Sequence, residues 1–296
     1  MRLRDALNLF LGEYEKASTR RAYNADLQPF VAELGPGREL AQVTPAEVHL
    51  YVQDLHQQAW ADHTLHKRIK SIKRFFNWLI DIGELEKSPA RNIKQVNLRT
   101  AIPKSKAATD EEIAEMLKVS YGNPRNHALI RFLVDTGCRA GGAASLRIDD
   151  LDLDHLTARV TEKGNKSRPV WFSSETALHL RIWIAQAPLG SEFVFCSADA
   201  SGMTAASISQ IVRRTCIKAG ITSRGAHSLR HAMGHKLADQ GESVTVAATV
   251  LGHNDPQITM QYYYPRDYER AEQAVRKTHQ NDEPHERKIV PLFKQK

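Results

Sequence analysis

The chain has 296 residues, enough for two ordinary domains, and its 42% hydrophobic and 25% charged residues exclude a disordered polymer. No apolar run approaches the ~20 residues of a membrane span, and Asp5 and Asn8 interrupt the opening MRLRDALNLFLGEY, which is not expected to be a secretory leader. The formal charge is +7, and residues 60–106 hold eleven Lys and Arg against four Asp and Glu, which accounts for the whole excess.

Leu3, Leu7, Phe10 and Tyr14 share one face of a first helix. Ser18 or Thr19 is expected to cap a second, through TRRAYNADLQPFVAEL, which ends at Gly35-Pro36-Gly37. Thr44-Pro45-Ala46-Glu47 is a capping box with proline at the first helical position, and it opens a third. The next segment, HTLHKRIKSIKRFFNWLIDIG, steps Leu65, Ile69, Ile72, Phe76 and Leu79 along a core stripe. His63, Lys67, Lys70 and Arg74 step along another face of the same helix. A lysine-rich solvated face is the commoner meaning of a charge run. Segregation from an apolar stripe favours a helix that lies along DNA phosphates.

Residues 1–98 therefore form an all-helical domain. The polar, basic stretch 99–107 reads as a linker, and residues 108–296 as a second domain. A capping box from Thr109 to Glu112 opens it, and helices follow through HALIRFLVDTG. LTARVTEKGNKSRPVWFS alternates in strand fashion on both sides of Gly164-Asn165, which predicts a hairpin. Beyond it the pattern reads as helical to about Thr278. The fold class is mainly α: a helical amino-terminal domain and a mixed α+β second domain with a small antiparallel sheet. Cys138, Cys196 and Cys216 lack metal-ligand spacing and read as reduced thiols of a cytoplasmic protein; Cys138, beside Arg139, is expected to be a small buried residue more than a reactive thiol.

Five places in the second domain gather polar groups against the core pattern. They are Thr136-Gly137-Cys138-Arg139, Lys163 beside the hairpin turn, His227-Ser228-Leu229-Arg230, Leu251-Gly252-His253, and Tyr262 nine residues further on. Each alone is ordinary. In this order and spacing they resemble the tyrosine recombinase (phage integrase) family, in the simple two-domain form similar to Xer-like recombinases. TGCR with SLRIDDLDL is similar to the family's first box, TEKGNK to its hairpin lysine, and HSLRHAMGHKLADQG with VLGHNDPQITMQYY to its second box. STRRAYNADLQPF and RFFNWLIDIGELEKSPA resemble its core-binding domain, which adds Arg20 and Arg21 to the DNA-binding candidates.

The resemblance implies site-specific recombination by way of a 3′-phosphotyrosine, with no metal and no ATP. Arg139 and Arg230 would hold the phosphate oxygens, a task for which paired guanidiniums suit. His227 takes a general-base or relay role, His253 a hydrogen bond to the phosphate, Lys163 the general acid, and Tyr262 the nucleophile. The implied partners are double-stranded DNA carrying a recombination site and three further copies of the chain, assembling on DNA from a monomer or weak oligomer in a nucleoid-associated, cytoplasmic setting. His227, His231 and His235 recur every four residues, but no glutamate follows the first of a pair as in zinc motifs, and His231 and His235 read as structural. One departure stands out: three residues after the first arginine, where the family usually has an acid, this chain has Gly142. Compensation from elsewhere, for example Asp149 or Asp150, is one reading, and impaired catalysis is another. Alternative activities are a type IB topoisomerase and a DNA-binding relative that has lost catalysis.

Overall fold

The computed structural model describes residues 1–58, 60–94, 104–162 and 166–264. The chain divides into two compact units, 1–99 and 100–296. Among the described residues no helix is long and apolar enough to cross a membrane.

Among its described residues the first unit holds four α-helices: α1 (Leu3–Gly12), α2 (Ala17–Leu34), α3 (Pro45–Gln57) and α4 (Asp62–Asp81). The Thr44 box closes as its sequence requires, with the Thr44 side chain accepting from the Glu47 amide and the Glu47 carboxylate accepting in return. The expected cap at Ser18 or Thr19 is not used. The helix starts earlier, at Ala17 after Lys16, with no side-chain cap. Its entry is fixed by packing: Phe10 of α1 meets Tyr23 of α2 edge-on, and Phe75 and Trp78 of α4 likewise. The stripe Leu65, Ile69, Ile72, Phe76 and Leu79 is buried throughout. His63, Lys67, Lys70 and Arg74 are exposed on α4, and Arg20 and Arg21 are exposed on α2.

The second unit runs α5 (Asp110–Ser120), α6 (Pro124–Thr136), α7 (Ala140–Ala144), β1 (Leu151–Asp152), β2 (Thr157–Glu162), β3 (Lys166–Trp171), α8 (Ser174–Ile184), α9 (Ala205–Lys218), α10 (His227–Asp239), α11 (Val244–Leu251) and α12 (Pro256–Tyr263). Its three strands pair antiparallel in the order β1-β2-β3, and Glu162 faces Lys166 across the base of the hairpin. The mainly helical class with a small antiparallel sheet is as the sequence predicts. The stretch after the hairpin is less uniformly helical than expected. Between α8 and α9 lie only isolated bridges, Arg147 with Phe193 and Cys196 with Gly202. Pro188, Gly190 and Gly202 break a helix here, while Val194 and Phe195 bury their side chains and the Val194 carbonyl accepts from the Trp183 indole. The core runs from Leu129, Phe132 and Leu133 of α6 through Val160 and Val170 of the sheet to Ile208 and Val212 of α9.

Ile69→Ala should cost about 2–5 kcal/mol of stability because it empties a fully buried site. Arg74→Ala on the exposed face of the same helix should stay within about 0.5 kcal/mol, and denaturant unfolding of the two variants checks the contrast.

Candidate functional site

The site in the second unit forms where three chain breaks bring polar groups together. At the first, α6 stops at Gly137 in the left-handed region (φ 56°), and Arg139 becomes the N-cap residue of the five-residue α7. At the second, α10 begins at His227, and its first turn carries Arg230 inward. At the third, α11 ends at Gly252, again left-handed (φ 64°), which turns His253 back toward the arginines. Gly252 is required twice over: a Cβ there would lie 2.2 Å from Nε of Arg168.

Arg230 is 3% exposed; its Nη1 donates to the Gly137 carbonyl at 2.8 Å, and its buried Nη2 has no partner among the described residues. Burial, then the neighbouring charge of Arg139, lowers its pKa to about 10, so it stays protonated at neutral pH. Arg139 is half-buried. Its amide donates to Oε1 of Glu162 at 3.0 Å, its Nη1 donates to the other carboxylate oxygen, and Nη1 also approaches the Gly252 carbonyl at 3.5 Å. Arg168 from β3 completes the group: Nη1 donates to the Val250 carbonyl at 2.9 Å and Nη2 reaches Glu162 at 3.5 Å. Arg139, Glu162, Arg168, Gly252 and His253 line one cavity of about 500 Å³.

The histidines respond to this field. His253 pairs Nδ1 with the buried Thr259 hydroxyl at 2.6 Å; burial, then Arg230 and Arg139, lowers its pKa to about 4. His227 remains exposed on one side, yet the protein around the rest of its ring, then Arg230 and Arg139, also lowers its pKa. His231 faces away from this cavity to the Tyr263 hydroxyl, 2.8 Å from Nδ1, and is lowered to about 4 by burial and by His227. That contact suits the structural part expected of it. Cys138 is buried, and burial pushes its thiol up to about 11, the opposite of a reactive cysteine.

The three consecutive tyrosines separate cleanly. Tyr263 is buried against Gly234 and bonded to His231, and burial raises its pKa. Tyr264 donates to the Glu242 carbonyl at 2.8 Å. Tyr262 is half-buried, packs its ring edge-on against Tyr263, and its hydroxyl has no hydrogen-bond partner among the described residues. None of its hydrogen bonds or ring contacts reaches the guanidiniums. Of the sequence candidates, then, Arg139, Arg230, His253 and His227 share one electrostatic site, Tyr262 on α12 makes no hydrogen bond or ring contact with them among the described residues, and Lys163 lies outside the described residues. Asp149 and Asp150 lie elsewhere, beside Asp152 and Asp154 around a different cavity. Reasoning from sequence missed Glu162 and Arg168. Their signal was an acid and a cation flanking the turn lysine on paired strands.

In the first unit, Lys67, Lys70 and Arg74 of α4 form one wall of a cleft of about 250 Å³ whose other wall is Ala22, Tyr23 and Asp26 of α2. Lys67 is bound at 3.1 Å to Asp26, a buried carboxylate that also accepts from Ser71 at 2.8 Å.

Two family models match the chain: the phage integrase family over residues 106–270 and the phage integrase N-terminal SAM-like domain over residues 9–83. The chain belongs to the phage integrase family. It is a tyrosine recombinase of Xer type. Tyrosine recombinase XerC of Mycobacterium sp. (strain JLS) is 28% identical over 261 residues, covering 82% of this chain and 87% of that protein. A tyrosine recombinase of Pseudothermotoga lettingae is 26% identical over 254 residues, covering 84% and 88%. In fold, the chain is similar to XerH recombinase bound to its difH substrate, with a TM-score of 0.71 at 22% identity over 89% of this chain and 80% of that one. It is also similar to the Tn1549 transposon integrase bound to transposon right-end DNA, with a TM-score of 0.77 at 16% identity over 94% and 99%.

The depressed histidines set a pH dependence. Above pH 6.5 His231 and His253 are neutral in folded and unfolded chains alike, and neither changes stability. Between 6.5 and about 4 the unfolded chain takes up protons that the folded one refuses, so stability declines as pH falls through this window. Unfolding free energies from denaturant titrations at pH 7 and pH 5 should differ by roughly 1–2 kcal/mol per histidine. His253→Gln should remove its share of the loss.

Proposed function

We propose that this recombinase breaks and rejoins DNA with Tyr262 as nucleophile and the Arg139–Arg230–His253 hollow as the seat of the scissile phosphate. The observation that carries the reading is the buried Nη2 of Arg230, a cationic donor without a partner among the described residues, beside a second guanidinium and an imidazole. Such a group is costly unless an anion meets it. The Tyr262 oxygen attacks phosphorus, the bond to the 5′ oxygen breaks, and a 3′-phosphotyrosine and a free 5′ hydroxyl result. The phenol proton passes to His227, which its surroundings keep neutral at pH 7. Lys163 supplies the proton for the leaving oxygen. In the tautomer whose Nδ1 accepts from the Thr259 hydroxyl, the ring proton of His253 sits on Nε2, where it would serve a phosphate oxygen. Two of the three tyrosine hydroxyls are already held by protein groups, which supports Tyr262 as the one available. To strike, it must leave its packing on Tyr263, which asks for motion of the short helix α12.

The partner is duplex DNA with a recombination site, the chemistry on which XerH has been solved with difH. Assembly into a tetramer on that DNA and a cytoplasmic, nucleoid-associated setting belong to the same reading. Domain boundaries of 1–98 and 108–296 with a linker between them do as well. The exposed ridge of His63, Lys67, Lys70 and Arg74, with Arg20 and Arg21, would lie along the backbone and supply affinity without reading sequence.

Tyr262→Phe should abolish covalent trapping on a nicked suicide duplex, seen as loss of the slow band on a denaturing gel, while gel-shift affinity stays. Adducts that persist there but vanish in Tyr263→Phe would move the nucleophile by one residue. Affinity should fall steeply as salt rises, and Lys70→Ala with Arg74→Ala should flatten the log–log slope by about 1 per cation removed.

A further inference from the structure

We infer that Glu162 is the positioning residue for Arg139, and that the carboxylate expected from helix α7 at position 142 is supplied here by strand β2. This rests on the reading of Arg139 as a phosphate-holding group. A Cβ built on Gly142 would lie 3.3 Å from Cγ and 3.5 Å from Oε1 of Glu162, and 3.4 Å from Cβ of Val160. The space a side chain at 142 would fill is the space Glu162 occupies. The two positions are alternatives. Gly142 therefore makes room for a carboxylate that arrives from the strand and does not mark a lost one.

The Glu162 side chain is 6% exposed and is held from three sides. Arg139 contributes both its amide and its guanidinium, which fixes the arginine's main chain and side chain against one anchor. Arg168 adds its charge at 3.5 Å. Burial works to raise the Glu162 pKa, but the Arg139 amide and the Arg168, Arg139 and Arg230 charges outweigh it and leave the carboxyl below its usual range. The anchor extends further. Arg168 donates to the Val250 carbonyl and packs where any side chain at Gly252 would sit, so it ties Glu162 to the turn that presents His253. Strand β2 is itself tied to α7 through the Ser145 hydroxyl, which donates to the Thr161 carbonyl at 2.8 Å. Glu162 touches no reacting atom in this scheme. It sets the direction of the groups that do.

The test is single-turnover cleavage of a nicked suicide duplex at saturating protein, with gel-shift affinity measured alongside. Glu162→Gln should slow cleavage by roughly 10–100-fold with little change in half-saturation. In an Arg139→Lys background the same change should add almost nothing, because its route to the phosphate is already broken. Gly142→Glu combined with Glu162→Gly should cleave about 10-fold or more faster than Glu162→Gly alone, since each position leaves space for the other. Cleavage by Glu162→Gln at the parental rate would overturn the inference, as would the same slowing factor in both backgrounds. If Glu162→Gln fails to fold, the paired swap decides: recovery supports the anchor and no recovery rejects it. Absence of any adduct from the parental protein would instead count against the Tyr262 reading, so the two failures remain distinct.

Discussion

A carboxylate sealed among three guanidiniums is the constraint on which the catalytic unit depends. Arg139, Arg168 and Arg230 cannot converge without a counter-charge, because like charges repel more strongly as water is withdrawn. Glu162 offsets one of these charges and leaves a net positive hollow. The excess is what a phosphodiester would neutralise, so part of the site's electrostatic cost is relieved only when substrate arrives. The surrounding structure must hold that cost meanwhile. The left-handed stops at Gly137 and Gly252, the α7 tie to β2 and the packed core beneath α6 supply the rigidity.

The same field sorts the titratable groups by role. Histidines near the arginines have their pKa values lowered, so on the proposed reading they would accept or relay a proton at neutral pH without adding to the positive charge. Among the tyrosines, environment separates what sequence leaves adjacent. Tyr263, buried on Gly234 and bonded to His231, has its ionisation made harder, whereas Tyr262 has no hydrogen bond to give up among the described residues. A phenol that must become a phenolate is better drawn from the second kind of site.

Much of this architecture was legible in the chain because its signals are local. The capping boxes at Thr44 and Thr109, the 65–79 stripe, the hairpin around Gly164-Asn165 and the helix stop at Gly137 each act within a few residues. The early start of α2 was not, since aromatic packing across α1 and α4 outweighs a weak serine or threonine cap. Nor was the partner of Arg139. Glu162 lies 23 residues away and meets it only because β2 packs on α7, so no spacing rule points to it. Read in one dimension, Gly142 leaves compensation from elsewhere and impaired catalysis both open. In three dimensions, removing a side chain from a helix and placing a longer one on the facing strand fill the same volume.

Two sets of cations with different exposure divide the work. The ridge on α4 is in water, where charges more than about 8–10 Å from their targets are screened at physiological ionic strength and affinity follows counterion release. Lys67 is partly committed to Asp26, so Lys70 and Arg74 carry more of that face's reach. Arg230 is buried, so its pull on a phosphate held there would be little affected by bulk salt. Salt should therefore govern how often the enzyme is on DNA far more than how fast a bound phosphate is cut. On the proposed reading, recombinase chemistry would then depend on ionic strength mainly through occupancy, because the guanidinium assigned to the charged phosphorus centre is the one the solvent does not reach.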